Sequence, residues 1–285
     1  MPMYAVNQQS IHVWEEGDAD KPVALLIHGW SSSWFALSPL LPILKTRHRC
    51  MAVDLPGYGQ SPRGQARVSI DAYADMLAEL LRQVTDQPAV IIGHSMGGMI
   101  ALTMALRHPG LAERLVLLCP TISGRLSLFI NLFISPLVVL ERIPFADRLT
   151  GLIEQRIWRI TDRVMKPASY ADRSSISDEA HERIKADVRR PGQGRIRAEC
   201  YRAMREHDLR GQLGQVSIPS LYIWGMEDNT VPLRDASAVI HANPDADLRI
   251  IPNAGHWPQF EALDITQRYV RAFLSTPMKL LKVQF

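Results

Sequence analysis

Ala89-Val90-Ile91-Ile92-Gly93-His94-Ser95-Met96-Gly97-Gly98 is the stretch that decides the reading of this chain. Its aliphatic run has the make-up of a strand buried on both faces, and the residues from Met96 to Arg107 are apolar enough to continue as a helix. Between the two stands Gly-x-Ser-x-Gly. A serine on so sharp a strand-to-helix turn occupies sparsely allowed backbone, and the flanking glycines remove β-carbons that would collide with the neighbouring strand and helix. The hydroxyl then stands above the carboxyl ends of the strands, and the amide of Met96, at a helix start, is left to bind an oxyanion. Ser95 is therefore the candidate nucleophile, with Met96 as one oxyanion donor.

On both sides of this stretch, short apolar runs alternate with longer amphipathic ones, the rhythm of a mostly parallel sheet covered by helices. Strands are expected over Val23 to His28, Cys50 to Asp54, Ala89 to Gly93, Leu115 to Cys119, Ser220 to Trp224 and Leu248 to Pro252. Helices are expected over Ser69 to Val84, Leu233 to His241 and Glu261 to Leu274, and antiparallel edge strands around Tyr4 to Trp14. From about Thr121 to Leu213 the strand pattern stops and the sequence reads helical. That insert holds 17 Lys/Arg against 12 Asp/Glu, while the rest of the chain has a net charge of −2. The division expected is a core in two parts, residues 1–120 and 214–285, interrupted by a helical cap at 121–213.

A serine hydroxyl is unreactive at its own pKa and needs a base. Nine histidines are present, and His256, in Ile251-Pro252-Asn253-Ala254-Gly255-His256-Trp257, directly follows the last strand, at the same end of the sheet as Ser95. The orienting acid should also follow a strand. Leu221-Tyr222-Ile223-Trp224-Gly225-Met226-Glu227-Asp228 offers Asp228, with Glu227 as the alternative. Asp228 is preferred because Gly225 lets the chain turn back and the shorter side chain holds an imidazole more stiffly. A second oxyanion donor is the Trp30 amide, after Leu25-Leu26-Ile27-His28-Gly29, where His28 is expected to hold the loop. Asp54, at another strand end, is expected to cap the turn through Pro56-Gly57-Tyr58-Gly59.

Composition narrows the classes of function. With 285 residues, 47% hydrophobic and 21% charged, the chain reads as a soluble globular protein. A net charge of +3 without a Lys/Arg stripe gives no reason to invoke nucleic acid. The apolar run from Leu126 to Leu140 is interrupted by Ser127, Asn131, Ser135 and Pro136 and falls short of the roughly 20 residues a spanning helix needs, so no stable membrane insertion is expected. Met1 to Ser10 has neither a basic region nor an apolar core, and Cys50, Cys119 and Cys200 read as free thiols, so a cytoplasmic setting is expected. No His, Asp, Glu or Cys group has metal-ligand spacing and no glycine turn has a nucleotide-binding form, so neither metal nor organic cofactor is expected. The partner expected is a small-molecule substrate; no oligomeric state is read from the sequence.

The order Ser, Asp, His, together with His28-Gly29-Trp30, Asp54-Leu55-Pro56-Gly57-Tyr58-Gly59, Gly93-His94-Ser95-Met96-Gly97-Gly98, Gly225-Met226-Glu227-Asp228 and Gly255-His256, resembles the α/β-hydrolase superfamily over nearly the whole chain. The resemblance implies an α/β fold with a mostly parallel eight-stranded sheet, helices on both faces and a helical cap after the sixth strand. A serine nucleophile argues against the haloalkane dehalogenases and epoxide hydrolases, whose usual nucleophile is aspartate. Gly255-His256-Trp257-Pro258-Gln259-Phe260-Glu261 is similar to the corresponding segment of the meta-cleavage-product hydrolases, which cut carbon–carbon bonds in ring-fission diketones. The chain departs from their pattern at Trp30-Ser31-Ser32-Ser33, where Gly-Pro-Gly is usual, and at His94, where asparagine is common. Their cap arginine, which binds a substrate carboxylate, has four candidates here: Arg189, Arg190, Arg195 and Arg197.

Hydrolysis of a carboxylic ester or lactone through a Ser95 acyl-enzyme is the first expectation. Carbon–carbon bond hydrolysis of a ring-fission diketone is the second, and a non-catalytic ligand-binding protein on the same fold the third. Leu126, Leu128, Phe129, Ile130, Leu132, Phe133 and Ile134 open the cap, and either line an apolar substrate site or bury the cap against the core.

Overall fold

The computed structural model describes residues 2–128, 130–132, 170–190, 193–243 and 246–277. Eight strands form one sheet in the order β1-β2-β4-β3-β5-β6-β7-β8. A hairpin of β1 (Met3–Val6) and β2 (Gln9–Glu16) joins antiparallel at one edge, with β2 pairing β4 (Arg49–Val53). The remaining pairs, among β4, β3 (Val23–Ile27), β5 (Ala89–His94), β6 (Ala112–Leu118), β7 (Ser220–Gly225) and β8 (Asp247–Ile251), are parallel. Each expected strand is found within three residues of its expected ends.

The two faces of the sheet follow from the two-residue period of the strands. Leu25, Ile27, Ile91, Leu115, Leu117, Tyr222 and Trp224 point into one core layer, against the helices Ile70–Val84 and Met96–Arg107. Leu26, Val90, Ile92, Val116, Leu118, Leu221 and Ile223 point into the other, against Leu37 to Leu44 and the closing helix Leu263–Ser275. Burial on both faces explains why β3 and β5 read as unbroken apolar runs rather than as alternating ones. The helix Ile70–Val84 starts where Ser69, read from the sequence as its first residue, instead caps it, its Oγ accepting the Ala72 amide.

Strand order positions the site. From β3 the chain steps one way to β4 and then back across to β5 on the other side, so the connections after β3 and β5 leave toward opposite sides of the sheet, the strand-order reversal at whose carboxyl ends sites form in such sheets. After β6 comes the helical cap region. Its described part contains a 3₁₀ turn at Arg173–Ser175 and helices at Asp178–Val188 and Gly194–Glu206, before the sheet resumes at β7. The closing helix differs from expectation. It begins at Leu263 and is preceded by a separate turn, Pro258–Glu261, because Ala262 leaves helical backbone at φ −132° and ψ 53°.

The apolar opening of the cap divides. Leu126 and Ile130 are buried in the main core, whereas Leu128 and Leu132 are exposed; Phe129, Phe133 and Ile134 lie outside the described residues. Among the described residues no helix is long and apolar enough to cross a membrane.

Candidate active site

At the end of β5, Ser95 has φ 54° and ψ −117°, a conformation that side chains rarely adopt. The strain is held in place from several directions. Its amide donates to Leu118 O at 2.9 Å, and its carbonyl accepts the amides of Gly98, Met99 and Thr121. Glycines are required around it: a β-carbon at Gly93 would lie 2.4 Å from Gly97 O, and one at Gly97 2.1 Å from Ile27 O. Met96 is the first residue of its helix, so its amide has no carbonyl a turn earlier to bind and faces the helix's electropositive end.

The loop after β3 comes close against this elbow. A β-carbon at Gly29 would stand 3.0 Å from Ser95 Cβ. His28 holds the loop as expected, with Nδ1–H donating to Gly29 O (2.7 Å) and Nε2 accepting the Leu55 amide (3.0 Å). Trp30 lies between the core and the cap, its indole N–H donating to Arg197 O at 2.9 Å. Ser33 Oγ donates to the buried Asp187 carboxylate of helix Asp178–Val188, a second tie from this loop to the cap. Asp54 caps its turn through Gln60 N (2.9 Å), as expected, and does more: it accepts the Trp34 amide at 2.8 Å and pairs with buried His12 at 2.8 Å.

Across the crevice, the loops after β7 and β8 bring Asp228 and His256 together. His256 Nδ1–H donates to Asp228 Oδ2 at 2.8 Å, which leaves Nε2 as the free nitrogen. The other oxygen, Oδ1, accepts the amides of Thr230 (2.8 Å) and Val231 (2.9 Å), so the carboxylate is locked in orientation. Glu227 goes elsewhere and accepts the Ala254 amide at 3.1 Å. Of the two carboxylates that the sequence offers, Asp228 is the one bonded to His256. His94, the residue before Ser95, donates Nε2–H to His256 O at 2.8 Å and ties the histidine loop to the elbow.

Two neighbours of this pair escape sequence reasoning. Cys119, at the end of β6 with φ 43°, places Sγ within 4.8 Å of both the Asp228 carboxylate and a His256 ring nitrogen. Burial and then the charge of Asp228 push its thiol well above the usual range. Although Cys119, Asp228 and His256 stand at a spacing compatible with a metal, the thiol is protonated and both Asp228 oxygens accept hydrogen bonds from this chain. The group therefore fits a hydrogen-bonded network better than a cation site. Glu261 is the second neighbour, buried beside the histidine loop. The only advance signal for either residue is its position next to a strand end or to His256.

The cap arginines take other partners. Arg190 donates to Gly59 O, Arg197 to Val188 O at 2.7 Å, and Arg195 pairs with Glu199 on the surface. Arg189 also has a partner.

Burial pushes the His28 and His94 imidazoles down, His94 furthest, and lowers His48 and His207 in the same sense. Above about pH 6.5 both the folded and the unfolded chain keep these rings neutral. Below it, the unfolded chain binds protons that the folded chain refuses, and stability falls by up to about 1.4 kcal/mol per pH unit for each of the fully buried His28 and His94, and by less for the partly exposed His48 and His207. Glu261, whose carboxyl burial pushes up, acts in the opposite sense but is a single group. The urea midpoint is therefore expected to drop between pH 7.5 and 5.5 at constant m; an unchanged or higher midpoint would contradict this account.

The family model for the alpha/beta hydrolase fold matches residues 22–263, and the chain belongs to that family. As a member it is a hydrolase of small organic substrates. The AB hydrolase superfamily protein YfhM of Bacillus subtilis is 26% identical over 273 residues, covering 94% of this chain and 95% of that protein. A 2-hydroxy-6-oxononadienedioate/2-hydroxy-6-oxononatrienedioate hydrolase of Klebsiella pneumoniae is 27% identical over 278 residues, 93% of this chain and 91% of that protein. Among solved structures, the meta-cleavage product hydrolase CumD superposes with a TM-score of 0.74 at 22% identity, covering 96% of this chain and 97% of that one.

Proposed function

We propose that the chain is a serine hydrolase in which Ser95 attacks a substrate carbonyl, His256 takes the serine proton, and Asp228 holds the imidazole in the tautomer that leaves Nε2 free. The observation that carries this reading is the strained Ser95 elbow, whose preceding residue His94 is bonded to the carbonyl of a buried His256 that in turn bonds Asp228 at 2.8 Å. The amides of Trp30 and Met96 hold the oxyanion. Protonated His256 then donates to the leaving group and afterwards activates the water that releases the acid. The same reading takes 121–213 as a cap over the crevice. The three buried free thiols support a reducing, cytoplasmic setting.

For the substrate, the expected order reverses. Carbon–carbon bond hydrolysis of a ring-fission diketone is the class that the similarity to the Klebsiella enzyme supports, over more than nine-tenths of both chains. Ester or lactone hydrolysis is the second reading, favoured by the departures at Trp30-Ser31-Ser32-Ser33 and at His94 from the meta-cleavage pattern. Steady-state kcat/KM on a 2-hydroxy-6-oxohexadienoate and on acetyl, butyryl, octanoyl and benzoyl nitrophenyl esters, with Ser95→Ala as control, separates the two. Diketone turnover at least about tenfold above the best ester, and lost in the variant, is expected. Ester turnover without diketone turnover would establish the second reading, and no turnover of either by folded protein would favour a ligand-binding role.

A further inference from the structure

We propose that Glu261 is a positioning residue for the base, its carboxylate holding the backbone amides of the residues before and after His256 and joining them to the cap. The inference rests on the reading of His256 as the base. One side chain reaches three backbone amides. Oε2 accepts Gly255 N at 3.0 Å and Ala171 N at 2.7 Å, while Oε1 accepts Trp257 N at 3.0 Å. Gly255 and Trp257 are the residues directly before and after His256, and Ala171 belongs to the insert between β6 and β7.

The carbonyl of the base is held as well, because His94 Nε2–H donates to His256 O at 2.8 Å. With Nδ1 bonded to Asp228, the histidine is held at its carbonyl and at one ring nitrogen, and the residues on either side of it are held by their own amides. Nε2 alone remains for chemistry. A base whose Nε2 must meet a hydroxyl within a few tenths of an ångström gains from such restraint, since displacement by about 1 Å is enough to cost some hundredfold in rate.

The residue type follows from the donor count. Three N–H groups converge on one side chain, and a carboxylate is acceptor-only at both oxygens, so it satisfies all three. A glutamine of the same shape would turn an NH₂ group toward one of the amides. Glu261 is buried with three amide donors on its carboxylate, an arrangement that a buried carboxylate needs to stay ionised. The groups facing His256 are Asp228, neutral His94, the protonated Cys119 thiol and Glu261. Glu261 thus adds a second negative charge that favours the imidazolium formed during attack.

The test is Glu261→Gln beside Ser95→Ala, both checked for folding by near-UV circular dichroism and thermal unfolding. Glu261→Gln is expected to lower kcat by about 10- to 100-fold with KM changed less than about threefold. A purely structural role would lower the melting temperature and leave kcat unmoved at permissive temperature; this outcome overturns the inference. If Ser95→Ala keeps wild-type turnover, the underlying reading fails instead, so the two failures are distinguishable. A measurement on unaltered protein covers a glutamine variant that does not fold: the amide protons of Gly255 and Trp257 should exchange slowly with solvent, and exchange at the rate of an open loop overturns the assignment.

Discussion

Replacing Ser95 with alanine is expected to lower kcat/KM by about four to six orders of magnitude on whichever substrate the wild-type protein turns over. Only one oxygen is lost. The backbone at this position is held by bonds from its own amide and carbonyl, to Leu118 O and from Gly98, Met99 and Thr121. Those bonds do not involve the side chain, so the elbow should keep its shape. Serine and alanine carry the same penalty at φ 54°, and stability should change by less than about 1 kcal/mol. Activity lost in a fully folded variant is the signature of a nucleophile. A residual rate above that in water is expected, because the Trp30 and Met96 amides remain to stabilise an oxyanion.

Asp228→Asn should cost about 10⁴-fold in kcat for a reason that can be read from its hydrogen bonds. Oδ1 of Asp228 accepts two backbone amides, from Thr230 and Val231, which an asparagine can satisfy only with its carbonyl oxygen. Its NH₂ group must then face His256 Nδ1, where the wild-type oxygen accepts a proton at 2.8 Å. Two donors cannot share that contact, so the ring is driven to the tautomer with its proton on Nε2 and cannot accept from Ser95. Glu227→Gln is the control. Its side chain accepts only from Ala254 N among the described contacts, and its loss should change kcat by less than about fivefold. Steady-state kinetics of the two variants, side by side, check the assignment of the acid; equal losses would contradict it.

What the sequence made legible is what local chemistry writes into short windows. Unbroken apolar runs marked β3, β5 and the 115–118 part of β6, because strands covered on both faces have no polar side to alternate with. The elbow was visible because Gly93 and Gly97 are forced by backbone approaches of 2.4 and 2.1 Å. Asp228 and His256 could be paired in advance because each directly follows a parallel strand, and such ends meet at one edge of the sheet.

What was not legible comes from contacts between distant segments. Asp54 reads as a local turn cap, yet it also binds Trp34 and His12, 20 and 42 residues away. Glu261 reads as an ordinary helix-start acid, and its bond to Ala171 spans 90 residues. Cys119 sits at a strand end with no carboxylate of its own, and nothing in its neighbours announces that its sulfur reaches the Asp228–His256 pair. The closing helix reads as starting at Glu261, two residues before its actual start at Leu263, because the residue that breaks it, Ala262, is a good helix former. Its departure from helical backbone is imposed by tertiary structure.

The central claim is that Ser95 is an activated nucleophile, and covalent labelling tests it most directly. Folded protein would be incubated with a fluorophosphonate, its intact mass recorded, and the modified peptide mapped. One adduct per chain on the peptide carrying Ser95, absent in Ser95→Ala and formed more slowly in Asp228→Asn, is the result predicted. An unlabelled Ser95 in protein that still hydrolyses its substrate, or an adduct of equal yield in Ser95→Ala, would contradict it.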